Sequence, residues 1–351
     1  MAMIGKRFSD SASAYVKLTY DPASRKHFGA CPFCKSDTEG FCINDDKNYF
    51  YCYLCGEKGN RSRFFNKLFQ TEQYSETVSD TAQSEILDDA AVFYYENLLK
   101  RHNPGYDYLL GRGIGEDTMT GFGLGYAPDE FNSLYRLLKE KYPEEELMKS
   151  GLFTRTQKGH IMDLFRNRVM FPIIGKYGSV IAFGGRKLRE EDFGGKYLNS
   201  PETAVFKKRQ TLFSYPYDRP ERSSRIIVCE GYMDAIAIQD AGIPDSCAVL
   251  GVALTEDHLR LIRKDYRKVV LCLDSDSAGV TAAKKSIALL RAHGFEVTVP
   301  VLTPAKDPDE FIRRFGRDAF IGRIGSALDA DSFIARYGTI EDLIEVLRKQ
   351  A

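Results

Sequence analysis

The sequence predicts a multidomain protein in which a small cysteine-bearing β ribbon precedes an α/β core. The core is expected to contain a mixed α+β basic subdomain and then a parallel-sheet subdomain. Three observations predict this order: five of the eight cysteines lie between Cys31 and Cys55, Lys and Arg outnumber Asp and Glu by 15 to 7 between Arg155 and Arg225, and short apolar runs alternate with helical patterns from Ser223 onward. That alternation is typical of a parallel sheet flanked by helices. A chain of 351 residues is long enough for roughly two or three such domains.

The first zone, residues 1–70, is predicted to be a zinc ribbon. Two Cys-x-x-Cys pairs, Cys31 with Cys34 and Cys52 with Cys55, are separated by 17 residues. Each pair lets two thiolates reach one ion from a tight turn, and two such turns supply the tetrahedral sulfur shell that zinc prefers. Four thiolates leave no open position, so one structural Zn²⁺ is expected. A redox pair or unrelated free thiols are the alternatives.

Other side chains of the first zone are less specific. Cys42 lies in the predicted hairpin and is interpreted as a packing residue, with replacement of a ligand as the alternative, and His27 is interpreted as a non-ligand. Aromatic residues that are expected to be exposed are interleaved with basic residues nearby, namely Tyr49, Phe50, Tyr51 and Tyr53 with Lys47, Lys58, Arg61 and Arg63. Such mixtures suit single-stranded nucleic acid. A small ribbon core with a solvated rim would give the same composition.

The middle of the chain is predicted to be a connector and a basic subdomain. Residues 71–85 are polar and are interpreted as a flexible linker or a solvated helix. The basic subdomain, 86–222, opens with the helical pattern AAVFYYENLLK and continues with glycine-rich, strand-like stretches. Its cations could form a groove for template phosphates and a nucleoside triphosphate, or only a solvated surface. The candidates from this charge excess include Arg166 and Arg168.

The third zone, residues 223–315, is predicted to be the parallel-sheet subdomain, followed by short helices in 316–351. Its predicted strands are RIIVCE, CAVLGV, KVVLCLD and EVTVPVL, and its predicted helices are MDAIAIQDA, EDHLRLIRK and AGVTAAKKSIALLRAHG. Because loops after parallel strands share one edge of a sheet, side chains that follow these strands are expected to meet there.

Acidic residues follow three of these strands. The set comprises Glu230 and Asp234 after the first strand, Asp274 and Asp276 after the third, and Asp307 and Asp309 after the fourth. Carboxylates brought together repel one another unless cations bind, and oxygen ligands select Mg²⁺ or Mn²⁺. Two such ions would suit phosphoryl transfer. Helix caps and solvated loops are the alternative, above all for Asp234.

The third zone resembles the TOPRIM module, and the chain from about residue 12 to about residue 335 resembles the bacterial DnaG-type DNA primases. The motifs are EGYMDAIAIQDAGI, LGVALTEDHLRLIR and LDSDSAGVTAAKKS, with GFGLGYAP, FRNRVMFPI, GGRKL and KYLNSPETAVFKK before them. The resemblance implies synthesis of short RNA primers from ribonucleoside triphosphates on single-stranded DNA, with an RNA–DNA hybrid as product. It implies acid/base chemistry at Glu230 and catalytic metal binding by Asp274 and Asp276. It further implies template or nucleotide contacts by Arg186, Lys196, Asn199 and Lys208.

Three departures from that family pattern stand out. Cys34 replaces the histidine usual at the second zinc position, which leaves the initiation trinucleotide open. Val252 stands where threonine is usual. The helical domain that docks on the replicative helicase in that family is not expected within the sequence up to Ala351, which leaves a helicase partner open. The sequence has no GxxxxGK[ST] phosphate loop, so a fused helicase motor is not expected.

Two other functions compete with primer synthesis. A nuclease or topoisomerase-like TOPRIM enzyme would not need the motifs of the second zone, and a topoisomerase would need a larger chain with a nucleophilic tyrosine. A non-catalytic DNA-binding adaptor would not need every acid. No apolar run approaches the roughly 18 residues of a membrane span, so a cytoplasmic protein with no membrane partner is expected.

Overall fold

The computed structural model describes residues 8–36, 38–45, 49–60, 64, 67–68, 78–100, 103–176, 178–217 and 222–338. These residues fall into two compact units that meet in sequence between Phe206 and Lys207. None of the described helices is both long enough and apolar enough to cross a lipid bilayer.

The ribbon begins the first unit and is a five-stranded antiparallel sheet in which each strand pairs with the next along the chain. A short helix precedes it, and the bounds are α1 Phe8–Ala12, β1 Leu18–Asp21, β2 Lys26–Gly29, β3 Phe41–Asn44, β4 Tyr49–Cys52 and β5 Lys58–Asn60. Phe41, Phe50 and Phe64 are fully buried, with ring centroids 5.5–5.7 Å apart. Phe50 is therefore a core residue and not the exposed aromatic that the sequence predicted. So small an apolar core needs a further source of stability, and a bound metal is a common one.

The basic subdomain also belongs to the first unit and confirms the mixed α+β prediction. Its helices are α2 Val78–Leu99, α3 Pro104–Gly111, α4 Glu116–Gly121, α5 Ser133–Leu138 and α6 Glu144–Lys149. Its strands are β6 Gly125–Ala127, β7 Phe153–Arg155, β8 Ile161–Asp163, β9 Arg168–Ile174, β10 Val180–Lys187 and β11 Tyr197–Asn199. The main sheet has the order β11-β10-β9-β6, and β7 with β8 forms a separate hairpin.

Helix α2 packs on this sheet through residues spaced as a helix requires. Ile86, Ala90 and Tyr94 follow one another at intervals of four and are buried, so they share one face. The Tyr94 ring meets Phe183 of β10 edge-on, with 5.3 Å between centroids. The predicted connector overlaps this helix: residues 71–77 lie outside the described residues, and from Val78 the chain is helical. Gln83 is buried, so the overlapping part is not simply a solvated helix.

The second unit contains the predicted parallel sheet. Its strands are β12 Arg225–Cys229, β13 Ser246–Ala248, β14 Lys268–Cys272, β15 Glu296–Val299 and β16 Leu328–Asp329. They have the order β13-β12-β14-β15-β16, in which the first four are parallel and β16 is antiparallel. The four predicted strands are therefore confirmed in position, and β16 is an edge strand that the apolar pattern did not indicate.

The helices of the second unit also match the predicted pattern. They are α7 Tyr232–Asp240, α8 Glu256–Asp265, α9 Ser277–Ala292, α10 Pro308–Gly325 and α11 Ala330–Tyr337, and a 3₁₀ helix, Lys208–Gln210, precedes them. Helix α10 is interrupted at Gly316, where φ is 83°. The rest of the predicted C-terminal helical segment, 339–351, lies outside the described residues.

The two compact units divide between Phe206 and Lys207, ahead of residues 222 and 223, where the domain boundary stays a prediction. The Phe213 N–H donates to the Ala248 carbonyl (2.9 Å) and the Ala248 N–H donates to the Phe213 carbonyl (3.0 Å). These bonds add the segment after Phe206 to the edge of β13. Because this pairing is non-local, the charge pattern along the chain could not indicate it.

Candidate metal centres and basic hairpin

The four predicted zinc ligands converge in the ribbon. The Sγ atoms of Cys31, Cys34, Cys52 and Cys55 all lie within 4.8 Å of one another. The Cys31–Cys55 sulfur distance is 3.9 Å and the Cys34–Cys52 distance is 4.0 Å. Four sulfurs at the usual Zn–S distance would be about 3.8 Å apart in a tetrahedron. The donor set therefore fits a closed zinc shell.

The clustering of the four sulfurs favours a metal site over a redox pair or unrelated free thiols. All eight cysteines of the chain are described, and all are free thiols rather than disulfides. Burial raises the pKa of the Cys31 thiol to about 12, so a cation is needed before this group becomes a thiolate ligand. Cys42 is buried in β3 opposite Tyr51 and lies outside the sulfur cluster. His27 instead contacts Asp45, with Nε2 3.1 Å from Oδ2. Both observations agree with the packing and non-ligand interpretations, which stay predictions.

The carboxyl edge of the parallel sheet brings the predicted acids into one region. Glu230 follows β12, and its Oε1 accepts the backbone N–H of Asp274 beyond β14 (3.1 Å). The Ser275 N–H donates to the Lys306 carbonyl (2.7 Å), which joins the loop after β14 to the loop before α10. The close approach of α9 needs a glycine: a Cβ on Gly279 would lie 2.0 Å from the Asp274 carbonyl oxygen.

The six acids have different partners within this edge. Asp276 and Asp307 cap α9 and α10, accepting the N–H groups of Gly279 (2.9 Å) and Glu310 (2.7 Å). Asp234 is buried and accepts the N–H groups of Gly231 (3.1 Å) and Asp309 (3.2 Å).

The remaining acid, Asp309, is the most deeply buried member of the set. It is 1% exposed, and its carboxylate pairs with the Arg313 guanidinium at 3.2–3.3 Å. Caps and metal ligation are compatible, since each carboxylate oxygen has two lone pairs.

Lys306 is part of this edge, although the sequence reasoning missed it. Its Nζ lies 3.3 Å from Asp274 Oδ2 and 3.8 Å from Asp276 Oδ2. The only signal in the sequence was its position directly before Asp307, and a lysine beside a carboxylate is common on any surface.

The electrostatics of the acidic edge suit divalent cations. Burial raises the pKa of Glu230, with the charges of Asp274 and Asp276 as further causes. Burial likewise raises the pKa of Asp274, against the opposing effect of Lys306. Burial and the charge of Asp307 hold the pKa of Asp234 well above its usual range. Oxygen ligands with this negative excess fit Mg²⁺ or Mn²⁺, which bind to one or two carboxylates together with substrate phosphates.

The predicted basic residues are only partly gathered. In the hairpin of β10 and β11, Arg186 is opposite Tyr197 and Gly184 is opposite Asn199, so Arg186 and Asn199 share one face of the sheet. Lys196 is exposed before β11, and its carbonyl accepts the Lys187 N–H (3.0 Å). Arg166 is half-buried ahead of β9, and Lys208 belongs to the second unit.

Arg186 is held by an aromatic ring that the sequence did not single out. Its guanidinium carbon lies 4.0 Å from the ring centroid of Tyr108 in α3, a cation–π distance. Its Nη1 donates to the Lys187 carbonyl (3.0 Å), and its buried Nε has no hydrogen-bond partner among the described residues.

Arg168 is predicted to contact the template or the nucleotide, but its side chain is buried within the fold. It is 2% exposed, and its guanidinium donates to the carbonyls of Gly185 (2.9 Å), Gly195 (3.2 Å) and Phe193. Burial lowers its pKa. Glycine at position 185 leaves space for the Arg168 side chain, because a Cβ at Gly185 would lie 3.0 Å from Arg168 Cδ. This arginine supports the loop between β10 and β11, so direct contact with a ligand is not how the structure uses it.

Comparisons with known proteins match this architecture in the same order. Three family profiles match consecutive segments: a CHC2 zinc finger at residues 6–91, the N-terminal domain of the DNA primase catalytic core at 93–219, and a Toprim-like domain at 227–312. The crystal structure of the Aquifex aeolicus primase, comprising zinc-binding and RNA polymerase domains, is 32% identical. It superposes with a TM-score of 0.71 over 98% of this chain and 88% of that one. This chain belongs to the DnaG-type DNA primase family.

Further members of the primase family are similar over most of this chain. A DnaG primase catalytic domain solved with bound single-stranded DNA is 31% identical, with a TM-score of 0.67 over 74% of this chain and 82% of that one. The DNA primase of Clostridium acetobutylicum is 36% identical over 337 residues, or 89% of this chain and 56% of the relative. The chain thus spans about half the length of that curated relative.

Proposed function

We propose that this chain makes short RNA primers on single-stranded DNA, as a nucleotidyltransferase of the primase type. The observation that carries the proposal is the acidic edge, where acids from three strand ends lie together and the pKa values of Glu230, Asp234 and Asp274 are raised. The same chain carries a four-thiol ribbon and a basic hairpin. A primase needs all three, whereas a nuclease needs the acidic edge alone.

The acidic edge would hold two or more divalent ions. We assign Glu230, Asp274 and Asp276 as catalytic residues, and Asp234, Asp307 and Asp309 as further metal-binding acids. When bound, Mg²⁺ or Mn²⁺ would lower the pKa of an attacking 3′-hydroxyl and stabilise the leaving pyrophosphate. In this proposal Glu230 would take up a proton at its Oε2, because its Oε1 already accepts the Asp274 N–H. Burial raises the pKa of Glu230, which favours the uptake of a proton by this carboxylate.

The basic residues would hold the polyanionic reactants. Arg186 and Asn199, on one sheet face, and the exposed Lys196 are assigned to template or nucleotide contacts, with Lys208 and Arg166 as further cations. Arg168 is assigned a positioning role, because its guanidinium holds the carbonyls of the loop that carries Lys196. Phosphate contacts of this kind supply most of the affinity for nucleic acid without reading its sequence.

The ribbon would contribute one structural zinc and contact the template. Tyr53 and Leu54 are exposed beside Cys52 and Cys55, and exposed aromatics are suited to stacking on unpaired bases. Lys47, Arg61 and Arg63, which the sequence groups with these aromatics, lie outside the described residues. The expected partners are single-stranded DNA, ribonucleoside triphosphates and the RNA–DNA hybrid, with a replicative helicase as a further candidate in the cytoplasm.

Primer synthesis tests this proposal directly. The purified chain is incubated with mixed-sequence single-stranded templates, labelled ribonucleotides and either Mg²⁺ or Mn²⁺. The test variant is Asp274→Ala/Asp276→Ala. The matched control is Glu296→Ala, which removes an exposed carboxylate at the opposite, amino end of β15.

We expect short RNAs that require the template, that persist in the Glu296 variant and that disappear in the Asp274/Asp276 variant. Their 5′ sequences would identify the initiation site. Cleavage of the template without RNA synthesis would replace the proposal with a nuclease. Binding of DNA with neither product, with both metals and with helicase added, would replace it with an adaptor.

A further inference from the structure

His258 is a fully buried histidine in the second unit to which the proposed chemistry gives no role. It is 0% exposed and lies in the first turn of α8. The Thr255 N–H donates to its Nδ1 (3.3 Å), and the His258 N–H donates to Thr255 Oγ1 (3.3 Å). The two residues therefore cap α8 reciprocally, in the manner of a capping box.

The hydrogen bonds of this cap determine the state of the imidazole. A backbone N–H can only donate, so Nδ1 of His258 must be the unprotonated, accepting nitrogen. The proton is then on Nε2, which lies 3.1 Å from the Lys208 carbonyl and donates to it. Burial lowers the pKa of His258, in keeping with a neutral ring.

Both capping residues also reach the 3₁₀ helix that carries Lys208. The Thr255 hydroxyl donates to the Arg209 carbonyl (2.5 Å), next to the Lys208 carbonyl held by His258. Two consecutive carbonyls of a three-residue turn are thus bonded to one helix N-terminus. A turn of this length has little internal hydrogen bonding to fix it.

The topology places the capped N-terminus of α8 at the acidic edge of the sheet. Helix α8 follows β13, which runs parallel to β12, so its N-terminus lies beyond the carboxyl ends of the strands. Glu230 and Asp274 follow β12 and β14 at that same edge. Further along the segment, the bridge from Phe213 to Ala248 ties the chain to β13.

We propose that His258 is a positioning residue that acts through Lys208: its Nε2–H fixes the backbone from which the Lys208 side chain reaches a phosphate of the template or the incoming nucleotide. The class of ligand rests on the proposed function. The anchoring of the turn does not, because it follows from the hydrogen bonds within the second unit.

Two substitutions of His258 each remove one of the two hydrogen bonds that its imidazole makes. His258→Asn places an amide oxygen near the position of Nδ1 and keeps the cap, but it cannot reach the Lys208 carbonyl. His258→Gln places an amide N–H near the position of Nε2 and keeps the bond to Lys208, but it loses the cap. Each variant loses one hydrogen bond, so a general loss of stability would affect both alike.

The experiment measures kcat/KM for primer synthesis in both variants, in Lys208→Ala and in the double variant His258→Asn/Lys208→Ala. We expect His258→Asn to lower kcat/KM about tenfold, since small misplacements of a binding group carry such costs, and His258→Gln to stay within about twofold of the wild type. The double variant is expected to match Lys208→Ala alone, because a residue that acts through Lys208 has no effect once Lys208 is gone.

Amide exchange of residues 208–213 gives a second readout that does not depend on activity. It should accelerate in His258→Asn and not in His258→Gln. Equal losses of kcat/KM in the two variants, or full additivity with Lys208→Ala, would overturn the positioning role. If the wild type makes no RNA, the proposed function fails by itself. The same single and double variants are then compared for their affinity for a fluorescent single-stranded oligonucleotide. Equal losses of affinity in His258→Asn and His258→Gln, or full additivity with Lys208→Ala, would again overturn the role of His258.

Discussion

The ribbon and the acidic edge both gather groups that repel one another when ionised, but they gather them differently. The Sγ atoms of the four ribbon cysteines lie within 4.8 Å of one another. At the acidic edge, carboxylates from separate loops already serve as helix caps, and Lys306 lies 3.3 Å from Asp274. Within the described part of the chain, only the thiols form so tight a set of ligand atoms.

This difference separates a structural metal from an exchangeable one. A closed shell has no position for a substrate, so its ion contributes to folding. An edge whose acids are held by backbone N–H groups keeps its form when ions leave, and it can share the ions with substrate phosphates. The following predictions test this contrast, from the largest expected effect to the smallest.

Loss of one ribbon thiol should have the largest effect. We expect Cys31→Ser to lose the zinc and unfold the ribbon, because structural zinc contributes on the order of 10 kcal/mol to such small folds. Zinc content by mass spectrometry and amide exchange of residues 18–60 measure this outcome. Cys42→Ser is the matched control, since Cys42 is buried outside the cluster. Cys34→His, which restores the family's usual ligand, should keep one zinc; zinc retained by Cys31→Ser would refute the closed shell.

Neutralising Glu230 should strongly slow primer synthesis while leaving the fold intact. In Glu230→Gln the amide oxygen can still accept the Asp274 N–H, so we expect a melting temperature within about 2 °C of the wild type. Primer synthesis should fall roughly 10²- to 10³-fold, because a proton acceptor and a metal ligand are lost. Zinc content should not change. Full activity in this variant would contradict the catalytic assignment.

A contrasting outcome is expected at Asp234, whose two carboxylate oxygens accept the N–H groups of Gly231 and Asp309. Asn offers one acceptor oxygen, so Asp234→Asn should lower the melting temperature by several degrees as well as the activity. Differential scanning calorimetry distinguishes this variant from Glu230→Gln. Identical melting curves for the two variants would contradict the structural role of Asp234.

The acidic edge should make the stabilisation by Mg²⁺ depend on pH. The pKa values of Glu230 and Asp274 are raised in the folded protein, so the folded state retains protons that the unfolded chain releases above about pH 4. The contribution of these groups to the metal-free protein is therefore most favourable at low pH and declines as the pH rises through the raised values.

Because Mg²⁺ binds the ionised carboxylates, it should offset the stability that the metal-free protein loses as the pH rises. We expect the melting temperature to gain a few degrees with Mg²⁺ near neutral pH and about none near pH 4.5. Calorimetric scans with and without Mg²⁺ at both values measure the difference. A gain that is independent of pH, or one that persists in Asp274→Ala/Asp276→Ala, would place the ion elsewhere.

Removal of Lys306 should have the smallest effect. Its exposed ammonium competes with a divalent ion for Asp274 and Asp276, so Lys306→Met is expected to tighten Mn²⁺ binding by about two- to fivefold. Titration followed by electron paramagnetic resonance gives the affinity. Lys268→Met, which removes a lysine paired with Glu296 at the opposite end of the sheet, is the control. Weaker Mn²⁺ binding would show that Lys306 supports the metal site instead of competing with it.

Local patterns in the sequence were enough to predict the cluster of four thiols, the sheet edge at which the acids gather and the order of the elements. The two Cys-x-x-Cys turns converge because each turn needs only adjacent residues and a hairpin between them. The acids after β12, β14 and β15 reach one edge because parallel strands have their carboxyl ends on the same side.

The tertiary structure alone decided how individual polar side chains are used. Arg168 looked like a surface cation, yet the fold buries it against three carbonyls. His258 had no role until the chain 50 residues earlier was placed beside it, and Lys306 required two loops to meet. The reason is physical: spacing and periodicity are properties of neighbouring residues, whereas burial and hydrogen-bond partners depend on segments that are distant in sequence and that only the packed fold brings together.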